Sequence, residues 1–278
     1  MKNIFLAAIL ALTPYFVSAQ YLEGGLFLGA SNYAGDLVDA PLGVDLSETH
    51  LAGGLLLRYN INDWVGVRGS FTYGQISGDD ANSSETFRLE RNLSFRSDIY
   101  EFAIIPEFNI LGFNPYDRFY SPYVFVGLGI FQFNPEAELN GQYYDLQPLG
   151  TEGQGLPGYG SQYNLTQISI PYGIGFKYAI DEYWTVGFEF STRYTFTDYL
   201  DDVSKTYVDR DELLQYRGEI AANLANRTGE YLGTEPVNRP GARRGAENVD
   251  FYTWSGFTIT YNFADGLGGR GMGCPTNF

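Results

Sequence analysis

The chain has 278 residues, and 33 acidic against 17 basic side chains leave a formal net charge of −16. That balance argues against nucleic-acid binding, which wants a basic face. One Cys, Cys274, excludes an internal disulfide, and one His, His50, leaves almost no room for zinc or serine-hydrolase chemistry.

Aromatic residues make up 17%, Gly numbers 34, and charged residues reach only 18%, against roughly 25% in an ordinary soluble domain. This composition suits a closed sheet with aromatic girdles outside and close packing inside. Residues 1–19 read as a secretory signal peptide: Lys2 is the positive end, Ile4 to Leu12 the apolar stretch, and Val17-Ser18-Ala19 the cleavage site before Gln20. No Cys follows that site, which argues against a lipid anchor there. Pro14 interrupts a segment already shorter than the about 20 apolar residues of a spanning helix.

Eight strands with period-2 alternation are predicted after it. The first runs from Leu22 to Ala30, with Leu22, Leu26 and Leu28 on one face and Glu23, Phe27 and Ser31 on the other. An acidic link to His50 precedes the second, Leu51 to Tyr59, which turns Leu55 and Leu57 outward and Gly54 and Arg58 inward. Asn60-Ile61-Asn62-Asp63 is a tight turn of favoured residue types. The third strand, Trp64 to Tyr73, sets Val65, Val67 and Phe71 against Gly66, Arg68 and Ser70. A polar link, Gln75 to Arg96, leads to the fourth, where Tyr100, Phe102, Ile104 and Phe108 oppose Glu101, Ala103 and Glu107. Gly112 to Ser121 is short, and Tyr123 to Phe133 is the fifth strand. The Gly- and Pro-rich segment Asn134 to Tyr163 is expected to be a loop. Ile168 to Tyr178 and Trp184 to Arg193 flank the short turn Ala179 to Tyr183, with Lys177, Glu189 and Arg193 inward. A long insertion, Asp198 to Val249, precedes the last strand, Gly256 to Phe263.

Each predicted strand has about nine to eleven residues, the length of a tilted membrane strand. Short and long links alternate, as they do in a barrel standing across a membrane. A soluble sandwich or lipocalin-like barrel would need no such one-sided loops. The expected fold is therefore all-β: an eight-stranded antiparallel transmembrane β-barrel in the outer membrane. Short turns and both termini face the periplasm, and long loops face outside. The predicted division is a signal peptide (1–19), the barrel (20–263) and a Gly-rich periplasmic tail (264–278).

Eight strands enclose a space just wide enough for side chains. Arg58, Arg68, Lys177 and Arg193 are expected to pair there with Glu101, Glu107 and Glu189, because buried charges must be paired. Such a network plugs the lumen, whereas a selective pore needs a continuous wet path. His50, near Asp45, Ser47 and Glu48, is the one conceivable rim base, but beside solvated acids it reads as a polar loop residue. No enzyme activity is expected. The loop acids (Asp36, Asp39, Asp45; Asp79, Asp80, Glu85; Asp198, Asp201, Asp202, Asp209, Asp211, Glu212) lack the Asp-x-Asp-x-Asp-Gly spacing of a calcium loop. They are expected to form a solvated acidic rim, with no metal, cofactor or small-molecule substrate. Arg243-Arg244 is too short for a basic patch. Within the fourth long loop, Asp209 to Arg227 has Leu213, Ile220 and Leu224 at helical spacing, acids in its first turn and Gly229 as a stop, which predicts one helix.

Several runs resemble the PorG family, outer-membrane barrels of the Bacteroidetes type IX secretion system. They are Gly29-Ala30-Ser31-Asn32-Tyr33-Ala34-Gly35-Asp36-Leu37, Thr197-Asp198-Tyr199-Leu200-Asp201-Asp202-Val203-Ser204, Thr206 to Asp209, Leu224-Ala225-Asn226-Arg227, and Arg244-Gly245 through Asn248 and Asp250. The resemblance covers nearly the whole mature chain. It implies an accessory role: linking a periplasmic ring, made of a lipoprotein and its partner protein, to the outer membrane. It implies no catalytic residues. A general OmpA-like structural barrel or a small porin is the alternative.

Overall fold

The computed structural model describes residues 21–38, 45–246 and 249–263. The signal segment 1–19, the tail 264–278 with Cys274, and Asp39 and Asn248 lie outside the described residues.

Antiparallel pairing runs β1 (Tyr21–Ala34), β2 (His50–Asn60), β3 (Val65–Asp79), β4 (Ser94–Asn109), then β5 (Tyr120–Val126) with β6 (Leu128–Gln132) as one stave. It continues through β9 (Thr166–Ala179), β10 (Trp184–Thr195) and β11 (Phe251–Asn262), and β11 pairs back onto β1. Among the described residues the ring closes with eight staves, and each stave is paired on both sides. A small hairpin, β7 (Pro135–Leu139) and β8 (Gln142–Asp145), prolongs the sheet above β4. Links of four, ten and four residues (61–64, 110–119 and 180–183) at one end, here the turn end, alternate with longer ones at the other, the loop end.

Three expectations are corrected. Gln75 to Arg96 is not a polar link: β3 continues to Asp79 and β4 begins at Ser94, and only a short helical connection with a helix at Thr86–Arg91 joins them. Residues 134–163 contain the β7–β8 hairpin and a helical turn, Leu146–Leu149. Its turn is Asn140-Gly141, both at positive φ (55° and 80°), the geometry that asparagine–glycine pairs favour. The fourth loop holds three short helices in place of one: Arg210–Arg217, Glu219–Ala225 and Thr228–Leu232. Gly218, at φ 87°, breaks the first from the second, and Gly229 lies inside the third. Leu213 and Leu224 are buried as their spacing implies, but Ile220 is exposed.

Strand length follows from a change of surroundings along each stave. From Tyr100 along β4 to Ile110, one residue past its end, the outward side chains are aromatic or aliphatic. Ten residues rise about 33 Å, and a tilt of about 40° leaves about 25 Å along the axis, the height of a membrane band. Beyond it, toward the loop end, Ser94, Arg96 and Asp98 face outward while Phe95 and Ile99 are buried. The side-chain parity is unbroken; the polarity of the two faces exchanges.

Candidate functional site

The outer wall carries Leu28 (64% exposed), Leu55, Phe102, Ile104, Ile174 and Phe257, all open to the surroundings. Aromatic residues border this belt: Trp64, Tyr120, Tyr178 and Trp184 at the turn end, Tyr73 and Tyr100 at the other. An apolar exterior around a charged interior is a surface made for lipid, and a closed strand ring satisfies the backbone there. This is the construction of an outer-membrane barrel.

Inside the belt lie two layers of paired charge. In the β2–β3 register Arg58 stands directly opposite Arg68, a repulsive placement that demands a carboxylate between them. Glu107 supplies it, 2.9 Å from Arg58 Nε and 3.0 Å from Arg68 Nε, and also accepts from Lys177 Nζ at 2.6 Å. Glu23 accepts from Arg58 Nη1 (2.7 Å), Asn60 and Thr260. Glu189 accepts from Arg68 and from the Tyr123 hydroxyl. Three carboxylates thus face three cations in the lower layer. Above it Glu101 accepts from Arg193 (3.1 Å), the Tyr252 hydroxyl (2.6 Å) and the Trp254 indole (3.4 Å). A hollow of about 20 Å³ lies between the layers, room for about one water. All seven residues expected in the network are buried and paired. Glu23 was missed, although its place on the polar face of β1 is the signal that finds it.

The runs that carry the family resemblance meet in a second place, a cap at the loop end. The Tyr33 hydroxyl lies 2.6 Å from Asp201 Oδ2 and 3.0 Å from Asp250 Oδ1. Asp250 also accepts from Leu200 N (2.9 Å), and Asp201 from Val203 N (2.9 Å). Gly35 leaves the space this meeting needs: a Cβ there would sit 2.0 Å from the Tyr33 hydroxyl and 2.1 Å from Asp250 Oδ1. Asp36 accepts from Ala246 N. Asn32 Oδ1 accepts from Asp45 N and the Thr49 hydroxyl, while Ser31 donates to the Gln75 carbonyl. Asp198 accepts from Ser204 Oγ, and Tyr199 stacks on Tyr163 at 4.7 Å. Arg227 donates to Ser94 Oγ and pairs with Glu230.

Two arginines fasten the four loops. Arg91 pairs with Asp80 (2.6 Å) and donates to the carbonyls of Asp36 and Arg244. Arg244 pairs with Glu152 (3.2 Å) and donates to the carbonyls of Asp202 and Ala225. The expected solvated acidic rim is therefore corrected in part: Asp36, Asp80, Asp201 and Asp202 are buried, because an apolar floor of Tyr33, Leu37, Phe95, Phe133, Leu200 and Val203 draws the loops together. Glu85 and Asp211 stay exposed, and Asp45, Asp79, Asp198, Asp209 and Glu212 are half-buried. Burial raises the Asp201 and Asp250 carboxyls well above their usual range, and like charge nearby, Asp36 on Asp201 and Asp201 on Asp250, adds to it. Burial pushes Asp202 up to about 6 against the pull of Arg244.

His50 Nε2 lies 2.6 Å from Ser77 Oγ, whose hydroxyl donates to Glu48; Glu48 also accepts from Asn82. The carboxylate holds the hydroxyl and not the imidazole, unlike a nucleophile–base–orienter order. Among the described residues no group of three or more His, Cys, Asp or Glu side chains is placed to hold a metal ion.

No curated protein matches this chain. Among solved structures, Ail, the attachment invasion locus protein of Yersinia pestis, is similar at 15% identity and a TM-score of 0.41, covering 88% of this chain and 100% of its own. Neisserial surface protein A is similar at 10% and 0.40 (86% and 95% covered), and OprG of Pseudomonas aeruginosa at 10% and 0.39 (88% and 96% covered). These likenesses are weak, and the barrel rests on its own strand pairing. Residues 2–224 match the family described as "Domain of unknown function (DUF6089)". That span takes in the first motif run, both charge layers up to Arg193 and the first half of the fourth loop, and the chain belongs to this family.

Proposed function

We propose that the chain is a barrel of the Bacteroidetes type IX secretion machinery that anchors a periplasmic ring, a lipoprotein with its partner protein, to the outer membrane. The observation that carries this reading is where its unusual residues go. The family-like runs are spent on packing the cap, and the lumen is filled by paired charge. Neither feature supplies a conduit or a reactive group, so contact at the turn end is the chemistry left to the molecule. There Tyr116, Phe119 and Ile180 are exposed beside Asp117, Asp181 and Glu182.

In this reading the turn end and both termini are periplasmic. Deleting the gene should abolish secretion of proteins bearing the system's C-terminal signal, and photocrosslinkers at Asp117 or Glu182 should capture the ring lipoprotein. Normal secretion in the deletion strain would refute the role. The porin alternative predicts steady conductance of the purified protein in planar bilayers; the packed lumen favours none.

A further inference from the structure

Two hollows on the outer wall share one seam. The lower, of about 620 Å³, is lined by Phe102, Ile104 and Pro106 of β4 and Val126, Leu128 and Ile130 of the facing stave. The upper, of about 290 Å³, is lined among others by Gln75, Arg96, Asp98, Tyr100, Gln132 and Glu136. Register makes them continuous: Tyr100 faces Gln132, Phe102 faces Ile130 and Ile104 faces Leu128. One furrow therefore climbs the wall, apolar within the membrane belt and polar directly above it.

The lower half exists because pairing lapses there. β4 meets β5 only at Glu107 to Asn109 and β6 only at Tyr100 to Ile104. Pro106 has no N–H to offer across the gap. Gly127 donates to Pro171 O (2.8 Å) on β9, as strand alternation requires, and it adds no side chain at the break, where a Cβ would lie 2.4 Å from Ile104 O.

The upper half is chemically selective. The Arg96 guanidinium lies 3.3 Å from the centroid of the Tyr143 ring and 2.9 Å from Glu136. Asp98 accepts from the Tyr73 hydroxyl (3.2 Å) and Gln75 Nε2 (3.0 Å). One cation, two carboxylates and the amides of Gln75, Gln132 and Asn134 leave no positive excess for a phosphate headgroup. They suit a ring of hydroxyls, which both donates and accepts, with the exposed Tyr100 as an apolar platform.

We propose that this furrow is a glycolipid site: an acyl chain lies between β4 and β6, and a hydroxyl-rich sugar headgroup sits among Gln75, Asp98 and Gln132. The site depends on the lipid-facing belt and not on the secretion role. The test is native mass spectrometry of the protein released from nanodiscs holding equal amounts of a synthetic tetra-acyl diglucosamine without phosphate and phosphatidylglycerol of the same chain length. One diglucosamine lipid per barrel should persist after phosphatidylglycerol is shed. Asp98→Asn should lower the retained fraction about tenfold, the weight of a charge-assisted hydrogen bond, and Ile104→Trp should do the same by filling the lower hollow. Leu57→Trp, on another part of the belt, should leave it unchanged. Retention of the two lipids in their bulk ratio, preference for phosphatidylglycerol, or indifference to Asp98→Asn would overturn the site. Asp98 stands above the belt, so its variant keeps the test decisive if Ile104→Trp fails to insert.

Discussion

Along β4, the stretch from Phe102 to Phe108 turns apolar side chains outward and buries Glu107, whereas Ser94 to Asp98 turns Ser, Arg and Asp outward and buries Phe95. The same strand with the same parity is a membrane wall in one region and the wall of a water-soluble cap in the other. What differs is the solvent outside. In lipid the apolar face must look out and charge survives only as a balanced, desolvated network. Above the membrane the ordinary hydrophobic effect returns and draws aromatic residues inward.

The sharpest way to break the lower region is Glu107→Leu, which leaves Arg58, Arg68 and Lys177 facing two carboxylates, Glu23 and Glu189. Unfolding in lipid vesicles should show a loss of about 3–5 kcal/mol, the cost of an uncompensated buried charge. Placing charge on the outer wall tests the border itself. Leu128→Arg should cost about 2–4 kcal/mol within the belt, whereas Gln132→Arg, further along the same face, should stay within about 0.5 kcal/mol.

The cap should respond to pH where the belt does not. An aspartate whose folded pKa is raised binds more protons folded than unfolded, so stability falls as pH climbs from the ordinary value toward the raised one. For Asp202 that window runs from 3.8 to about 6, and Asp201 and Asp250 extend it upward. Protease resistance of the loops should drop across it, and Asp202→Asn should flatten the drop between those limits. A more local effect is expected from Gly218→Ala: at φ 87° a side chain is strained by about 1–3 kcal/mol, and amide exchange should quicken in the two flanking helices alone.

Much of the lower region was legible because it obeys a local rule. Period-2 alternation placed Arg58, Arg68, Glu107 and Lys177 inward, and charge arithmetic paired them. Glu23 obeys the same rule, inward on β1 with its Arg58 and Thr260 partners on β2 and β11, and it was missed although the alternation placed it there. The cap was less legible. Asp36, Asp201 and Asp202 looked solvated because acids in long loops usually are, and nothing local announces that Tyr33, Leu200 and Asp250 will close over them. The single predicted helix failed at Gly218, where a positive φ overrides a helical pattern. The β7–β8 hairpin did have its signal in Asn140-Gly141, lost within a Gly- and Pro-rich segment.

By itself, the sequence determined that strands of alternating polarity, joined by short and long links in turn, close into an eight-stave ring, since no other arrangement buries one face and satisfies every backbone group in lipid. Only the tertiary structure decided where the membrane stops and the cap begins. That border depends on which side chains from distant loops gather over β3 and β4, and a burial shared among them is a property of no single segment.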